Sequence, residues 1–293
     1  MKLNPLLSIV KFIFKPHILV ILILAPFTLW VYLDDIFSQS PQSPLSYTTP
    51  RKKPIFINKK SESQKQASLT KLINTELSKL DGDYGIIIKD LTSDIIYSKN
   101  ENAAFTSASI YKLAVMYKIY DLIDSNKLSL AQEVAPGFTV KEALEAMVTV
   151  SDNDSALILA QLAGWDNIQS TLERDSIRGF SLNQETPQVT ASAVDQLLEK
   201  IYFNKAISPE ASLEMKNLLL AQAIDDRIPK YLPSDVLVAH KTGELDFVRH
   251  DAGIIFGKKS DYIFVFLSET PAPGDTVENI AKLSKTIYDA LEN

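Results

Sequence analysis

Three clusters along the chain combine residue types that can do chemistry: Ser109 with Lys112, Ser151-Asp152-Asn153, and Lys241-Thr242-Gly243. Ser109 and Lys112 stand three apart in a stretch that opens with small polar residues, as a helix N-terminus does, and runs on into helix formers without Gly or Pro. On a helix that spacing puts both side chains on one face, one turn apart, at the end whose dipole favours developing negative charge. A serine hydroxyl becomes a useful nucleophile when a neighbour takes its proton, and a desolvated lysine is one such neighbour. Each cluster alone says little. Ser8-Ile-Val-Lys11 also fits S-x-x-K, Ser181-Leu-Asn183 fits a loose S-x-N, and Lys-Thr-Gly at a strand end is ordinarily a turn. Their order and their structural contexts together carry the argument.

Those contexts come from the apolar patterning. Leu69, Leu72, Ile73, Leu77 and Leu80 predict an amphipathic helix ended by Asp81-Gly82. Tyr84 to Lys89 and Ile95 to Ser98 predict a hairpin closed by Leu-Thr-Ser-Asp, and the Ser109 helix follows. From Leu130 to Ala223 helical periods dominate: 140–150, 155–162, 165–174, 191–202 and 208–221. Ser151-Asp152-Asn153 then falls on a loop after an apolar helix. Strands return at 236–243, 251–256 and 262–268, with Gly257-Lys-Lys-Ser260 as a hairpin turn, before a closing helix over Val277 to Leu291. The expected architecture is α/β in the α+β sense: an antiparallel sheet flanked by helices, plus an all-helical lobe. A cleft between such lobes is where a site is expected, with the three clusters on three of its sides.

Composition narrows the chemistry. A formal net charge of −6 argues against nucleic acid as partner. The absence of cysteine removes disulfides, thiol nucleophiles and thiolate metal sites, and three histidines (His17, His240, His250) leave a poly-histidine metal site improbable. No metal and no cofactor is expected, and a monomer is. At the other end of the chain, Lys2, Lys11 and Lys15 precede an uncharged run from Pro16 to Leu33, about 27 Å as a helix, closed by Asp34-Asp35. Residues 1–35 therefore read as an uncleaved transmembrane helix with its N-terminus inside, which would place the remainder on the extracytoplasmic side of the cell membrane. Residues 36–63, rich in Gln, Ser, Pro, Thr and Lys, read as a tether, and 64–293 as the folded domain.

From Leu69 to Leu291 the chain resembles the penicillin-recognising serine hydrolases, and within them the class A β-lactamases. The three clusters carry the resemblance, together with Phe105 four residues before the serine and the run Asp226-Arg-Ile-Pro-Lys-Tyr-Leu-Pro233 leading into Val238-Ala-His-Lys-Thr-Gly243 and His250-Asp-Ala-Gly-Ile254. The resemblance implies a two-lobed β-lactamase/transpeptidase-like fold and an acyl-enzyme formed on Ser109, with Lys112 taking its proton directly or through a water. It implies that Ser151 relays a proton to the leaving nitrogen, that Asn153 holds the substrate's side-chain amide, and that Lys241, Thr242 and Gly243 bind the substrate at its carboxylate. The backbone N–H groups of Ser109 and Glu244 would form the oxyanion hole. The implied substrate is a β-lactam or, alternatively, a cell-wall stem peptide handled by a D,D-peptidase.

One element of that pattern is absent. Class A β-lactamases carry a loop glutamate, in a pattern ending Leu-Asn, that activates the water releasing the acyl-enzyme. Leu182-Asn183 matches the ending, but counting back gives Gly179 in the glutamate's place. Glu173 lies upstream on a helical stretch, and Glu185, just downstream, is the one substitute considered as a deacylating base. Without a placed base, deacylation loses about 10²–10⁴-fold, and the protein would behave as a penicillin-binding protein.

Overall fold

A computed structural model describes residues 59–93 and 96–292 of the chain. The anchor expected over 1–35, and the tether up to residue 58, lie outside the described residues. Among the described residues no helix is long and apolar enough to cross a membrane. The first helix, α1, spans Lys59–Leu77 and so begins ahead of the start expected at Gln64.

A five-stranded antiparallel sheet is the centre of the molecule. In sequence its strands are β1 (Asp83–Asp90), β2 (Ile96–Lys99), β8 (Leu237–Leu245), β9 (Val248–Phe256) and β10 (Asp261–Glu269), and their spatial order is β2-β1-β10-β9-β8. The first and last parts of the chain thus share one sheet. The turn after β1 is fixed by Asp90, whose Oδ1 accepts from the Thr92 N–H at 2.7 Å and whose Oδ2 accepts from Ser260 Oγ at 2.7 Å.

Strand alternation divides the core into two. Ile86, Ile88, Phe264 and Phe266 point to one face, against Leu69, Ile73 and Leu77 of α1 and Ile280 and Ile287 of the closing helix α8 (Pro273–Glu292). Ile87, Ile263, Val265, Leu267, Ala252 and Ile254 point to the other, where the helical lobe packs. Each such side chain contributes about 1.5–3 kcal/mol when fully buried, so both faces of the sheet are anchored.

The helical lobe comprises α2 (Tyr111–Asp124), α3 (Val140–Thr149), α4 (Asn153–Ala163), α5 (Trp165–Arg174), α6 (Ala191–Tyr202) and α7 (Pro209–Leu220). Its helix starts follow local rules: Thr139 and Glu142 make a capping box on α3, and Ser208 caps α7 with Pro209 in its first turn. Short strands also occur in this lobe, where strand signals had faded. β4 (Glu133–Ala135) pairs with β5 (Phe138–Thr139), and β6 (Phe180–Ser181) and β7 (Gln188–Val189) join β3 (Phe105–Thr106). Two- and three-residue strands are too short to show a period of two, so they are defined by their partners.

Candidate active site

Ser109 does not begin a capped α-helix. It sits in a single 3₁₀ turn, Ala108–Ile110, that leads into α2, and neither end of that turn has a side-chain cap. Ala108, just before it, has a positive φ of 43°, unusual for a residue with a Cβ. What holds this turn is tertiary. Phe105 is buried against Gly85, where an added Cβ would lie 2.5 Å from its ring, so the strand leaves no room for any larger residue. The Thr106 N–H donates to Glu269 Oε1 at 2.7 Å, its carbonyl accepts from His250 Nε2 at 2.7 Å, and the Ser107 N–H donates to the Pro187 carbonyl at 2.8 Å. Ser109 itself is half-buried.

Ser151 is the point where the clusters meet. Its Oγ accepts from Lys112 Nζ at 3.1 Å and from Lys241 Nζ at 3.0 Å. Lys112 also donates to the Ser151 carbonyl at 2.5 Å and to Asn153 Oδ1 at 2.8 Å, so its three ammonium hydrogens are all engaged. With both lone pairs of Ser151 Oγ taken by lysines, its own hydrogen is the one left to give, the property a proton relay requires. Ser151 holds a left-handed φ of 60°, at a cost of order 1–3 kcal/mol. The Asp152 N–H bound to the Ala146 carbonyl and the Asp152 side chain bound to the Ser155 N–H, at 2.7 Å, keep the backbone there. Asp152 is the N-cap of α4, which corrects the expectation that the whole triplet lies on a loop: Asn153 is the first helical residue.

Both lysines are fully buried. Burial lowers Lys112 to about 8, with the nearby Asp152 carboxylate opposing the shift. Burial also lowers Lys241, to about 7; the Lys112 charge and Arg227 push the same way, against Asp251. Two buried ammonium groups sharing one hydroxyl disfavour each other's charge, so one of the pair more readily becomes a neutral amine able to accept a proton. Ser109 is not among the hydrogen-bond partners of Lys112, and among the described residues its hydroxyl has none.

The third cluster lies within β8, which continues to Leu245, two residues past its expected end. Thr242 is buried, and Gly243 packs on the turn that carries Ser109: an added Cβ there would lie 3.1 Å from Ile110 and 3.2 Å from His250. The Glu244 side chain is exposed, but its Oε2 accepts from Arg227 Nη2 at 2.6 Å. His240 and His250 are both buried, with opposite electrostatics. Burial pushes His240 down, yet Asp251 at 2.9 Å and Asp225 at 3.4 Å outweigh it and raise the ring to about 9. His250 is lowered to about 4 by burial; its Nε2–H donates to Thr106, and its Nδ1 accepts from the Ser268 N–H at 3.0 Å, which fixes the neutral tautomer.

The hairpin formed by β6 and β7 runs beside the nucleophile's turn, since β7 pairs with β3. Gly179 precedes it with φ +111°, and an added Cβ would lie 2.3 Å from Thr190 Oγ1, so no side chain fits where a glutamate was sought. Glu185 is exposed on the connection between the two strands, and among the described residues it makes no hydrogen bond or ion pair. Glu173 lies on α5, engaged by Gln169 Nε2 at 2.8 Å. Asn183 reaches the Asp166 carboxylate at 2.7 Å, so the Leu-Asn ending tethers the connection to α5.

Sequence reasoning missed the supporting residues Glu269, Arg227 and Asp251. Arg227 and Asp251 lie in runs that carry the resemblance, but their supporting roles have no local signature: each is recognised through a partner at least 11 positions away, as with Asp251 and His240. Among the described residues no group of acidic or histidine side chains could hold a metal ion.

Comparison with known proteins places this geometry. A family model described as the beta-lactamase enzyme family matches residues 67–291. The fold is shared with a beta-lactamase from Chitinophaga pinensis DSM 2588, at a TM-score of 0.71 and 23% identity over 76% of this chain and 99% of that one. TLA-1 extended-spectrum beta-lactamase gives a TM-score of 0.71 and 22% identity over 78% and 99%. PBP-A gives 0.69 and 18% over 84% and 99%. A mutant of PBP-A in which a leucine is replaced by glutamate, solved as an acyl-enzyme complex with penicillin G, matches at 0.70 and 18% over 78% and 97%.

Proposed function

Because the chain belongs to the beta-lactamase enzyme family, we propose that it is a serine hydrolase of the class A β-lactamase type that opens a β-lactam amide through an acyl-enzyme on Ser109. The observation that carries this reading is the convergence of two buried lysines, from α2 and β8, on one serine hydroxyl.

In the proposed cycle a neutral Lys112 takes the Ser109 proton, directly or through a water, and the Ser109 oxygen attacks the carbonyl carbon. The backbone N–H groups of Ser109 and Glu244 receive the oxyanion, at about 3 kcal/mol per donor. The C–N bond then breaks, and the nitrogen takes a proton from Ser151, whose oxygen is replenished from the lysines. Asn153 orients the substrate's side-chain amide, and Lys241 with Thr242 and Gly243 receives its carboxylate.

A second reading, a penicillin-binding D,D-peptidase acting on cell-wall stem peptides, keeps every acylation step and changes the last one. Gly179 and Glu185 favour it, because among the described residues neither position on the hairpin offers a fixed carboxylate to activate the releasing water. Placement of the domain outside the cytoplasm by the N-terminal segment belongs to the same proposal, since β-lactams and cell-wall peptides are both met there.

Mass spectrometry over time after mixing with benzylpenicillin tests both readings. A covalent adduct that clears within seconds fits a turning-over β-lactamase, and one that lasts many minutes fits the peptidase. No adduct at all would sink both.

A further inference from the structure

Residues 225–228 run against the face of β8 that bears His240, Thr242 and Glu244. Asp225 reaches His240, the Ile228 N–H donates to Asp251 at 3.0 Å, and Arg227 reaches Glu244. Arg227 is 1% exposed, and its Nη1 donates to the His250 carbonyl at 3.3 Å, directly across from Gly243 in the β8–β9 pairing. Its Nε is buried without a hydrogen bond, and the nearest acidic group to that nitrogen is the Asp226 carboxylate at 3.6 Å. One good partner is therefore left for a buried guanidinium: the Glu244 carboxylate, whose other oxygen lies 3.2 Å from Arg249.

The two members of this pair differ in freedom. Arg227 is fixed by burial, whereas the Glu244 side chain is 58% exposed and hangs from the end of a strand. Thr242 and Glu244 share a strand face about 7 Å apart. A ligand carboxylate held at Lys241 and Thr242 would thus arrive next to a guanidinium that already has a carboxylate on it. Planar, two-pronged pairing with a carboxylate is what a guanidinium does best, and an intramolecular partner competes at high effective concentration.

We propose that the Glu244 side chain is an internal carboxylate that occupies Arg227 and so lowers the preference for ligands carrying a carboxylate beside Lys241 and Thr242. This specificity rests on the function proposed above. It assigns to the Glu244 side chain a role separate from that of its backbone N–H. Removing the carboxylate leaves Arg227, with the Asp226 carboxylate no nearer than 3.6 Å to its Nε, and Arg249, held by the Leu245 and Val248 carbonyls, open to a ligand's anion at the end of β8.

The test compares second-order acylation by benzylpenicillin with that by its methyl ester in the wild type, Glu244→Gln and Glu244→Ala. The acid-to-ester ratio should rise about tenfold in both variants, and Arg227→Gln added to Glu244→Ala should erase the gain, which general loosening of the strand would not do. A ratio unchanged or lowered in Glu244→Gln, the isosteric variant that keeps the fold, overturns the proposal. Should none of the proteins acylate, the nucleophile assignment fails. Calorimetric binding of phenylacetylglycine then decides the matter: at least fivefold tighter binding by Glu244→Gln than by wild type sustains the proposal, and equal affinity overturns it.

Discussion

Ser151 and the β6–β7 hairpin flank the nucleophile's turn, and they treat their polar groups in opposite ways. Around Ser151 charged and polar groups hold one another: two buried ammonium groups on one hydroxyl, a helix cap, and a backbone kept at positive φ. Along the hairpin the contacts to the turn are made by backbone, through the β3–β7 pairing and the Ser107–Pro187 hydrogen bond, while the one carboxylate on its connection points to solvent. Both regions are well packed. The difference lies in what is preorganised: charge and proton traffic on one side, shape alone on the other. Under the proposed function, a site so built would be equipped to form an acyl-enzyme and poorly equipped to release it.

The largest expected effect is on the first half of that statement. Ser109→Ala should abolish covalent labelling by benzylpenicillin in intact-mass measurements, and labelling that persists would move the nucleophile elsewhere. Lys112→Ala should slow acylation by about 10²–10⁴-fold, the usual contribution of a placed base. In the wild type the acylation rate should climb as pH rises through about 7–8, where the paired lysines give up their first proton, since a lowered pKa means the neutral form appears at lower pH. A profile flat from pH 6 to 9 would show that no lysine acts as the base.

Gly179→Glu sharpens the comparison from the other side. Restoring the carboxylate in sequence forces a Cβ onto Thr190 at a left-handed backbone, so urea denaturation should show a loss on the order of 1–3 kcal/mol. Adduct lifetime should not shorten; if it did, the hairpin would be far more plastic than its pairing implies. The smallest effect is expected of Glu185→Gln, with adduct lifetime and acylation rate both within about twofold of wild type, as for an exposed side chain with no partner. A lifetime lengthened tenfold or more would make Glu185 the base after all.

The convergence of the Lys112, Ser151 and Lys241 clusters was legible because each is contiguous in sequence and borders an element with a clear period. The sheet and most helices were legible for the same reason, down to the Gly257–Ser260 turn between β9 and β10. Less was legible where contacts between distant residues set the outcome. The helix start expected at Ser109 is a 3₁₀ turn because Glu269, His250 and Pro187 hold the residues before it. Identical residue types also parted company: His240 and His250 are equally buried, yet two carboxylates raise the first while a backbone carbonyl and an N–H hold the second neutral.

By itself, the order of residues determined the family resemblance, the choice of candidate reactive groups and the absence of a glutamate at Gly179, since all three are matters of local spacing. Only the tertiary structure decided that Lys112 and Lys241 share Ser151, that Glu244 occupies Arg227, and that Gly179 has no room for a side chain. The reason is physical: a side chain's proton affinity and its free space depend on atoms brought near by folding, and around this site those atoms come from residues up to 163 positions apart.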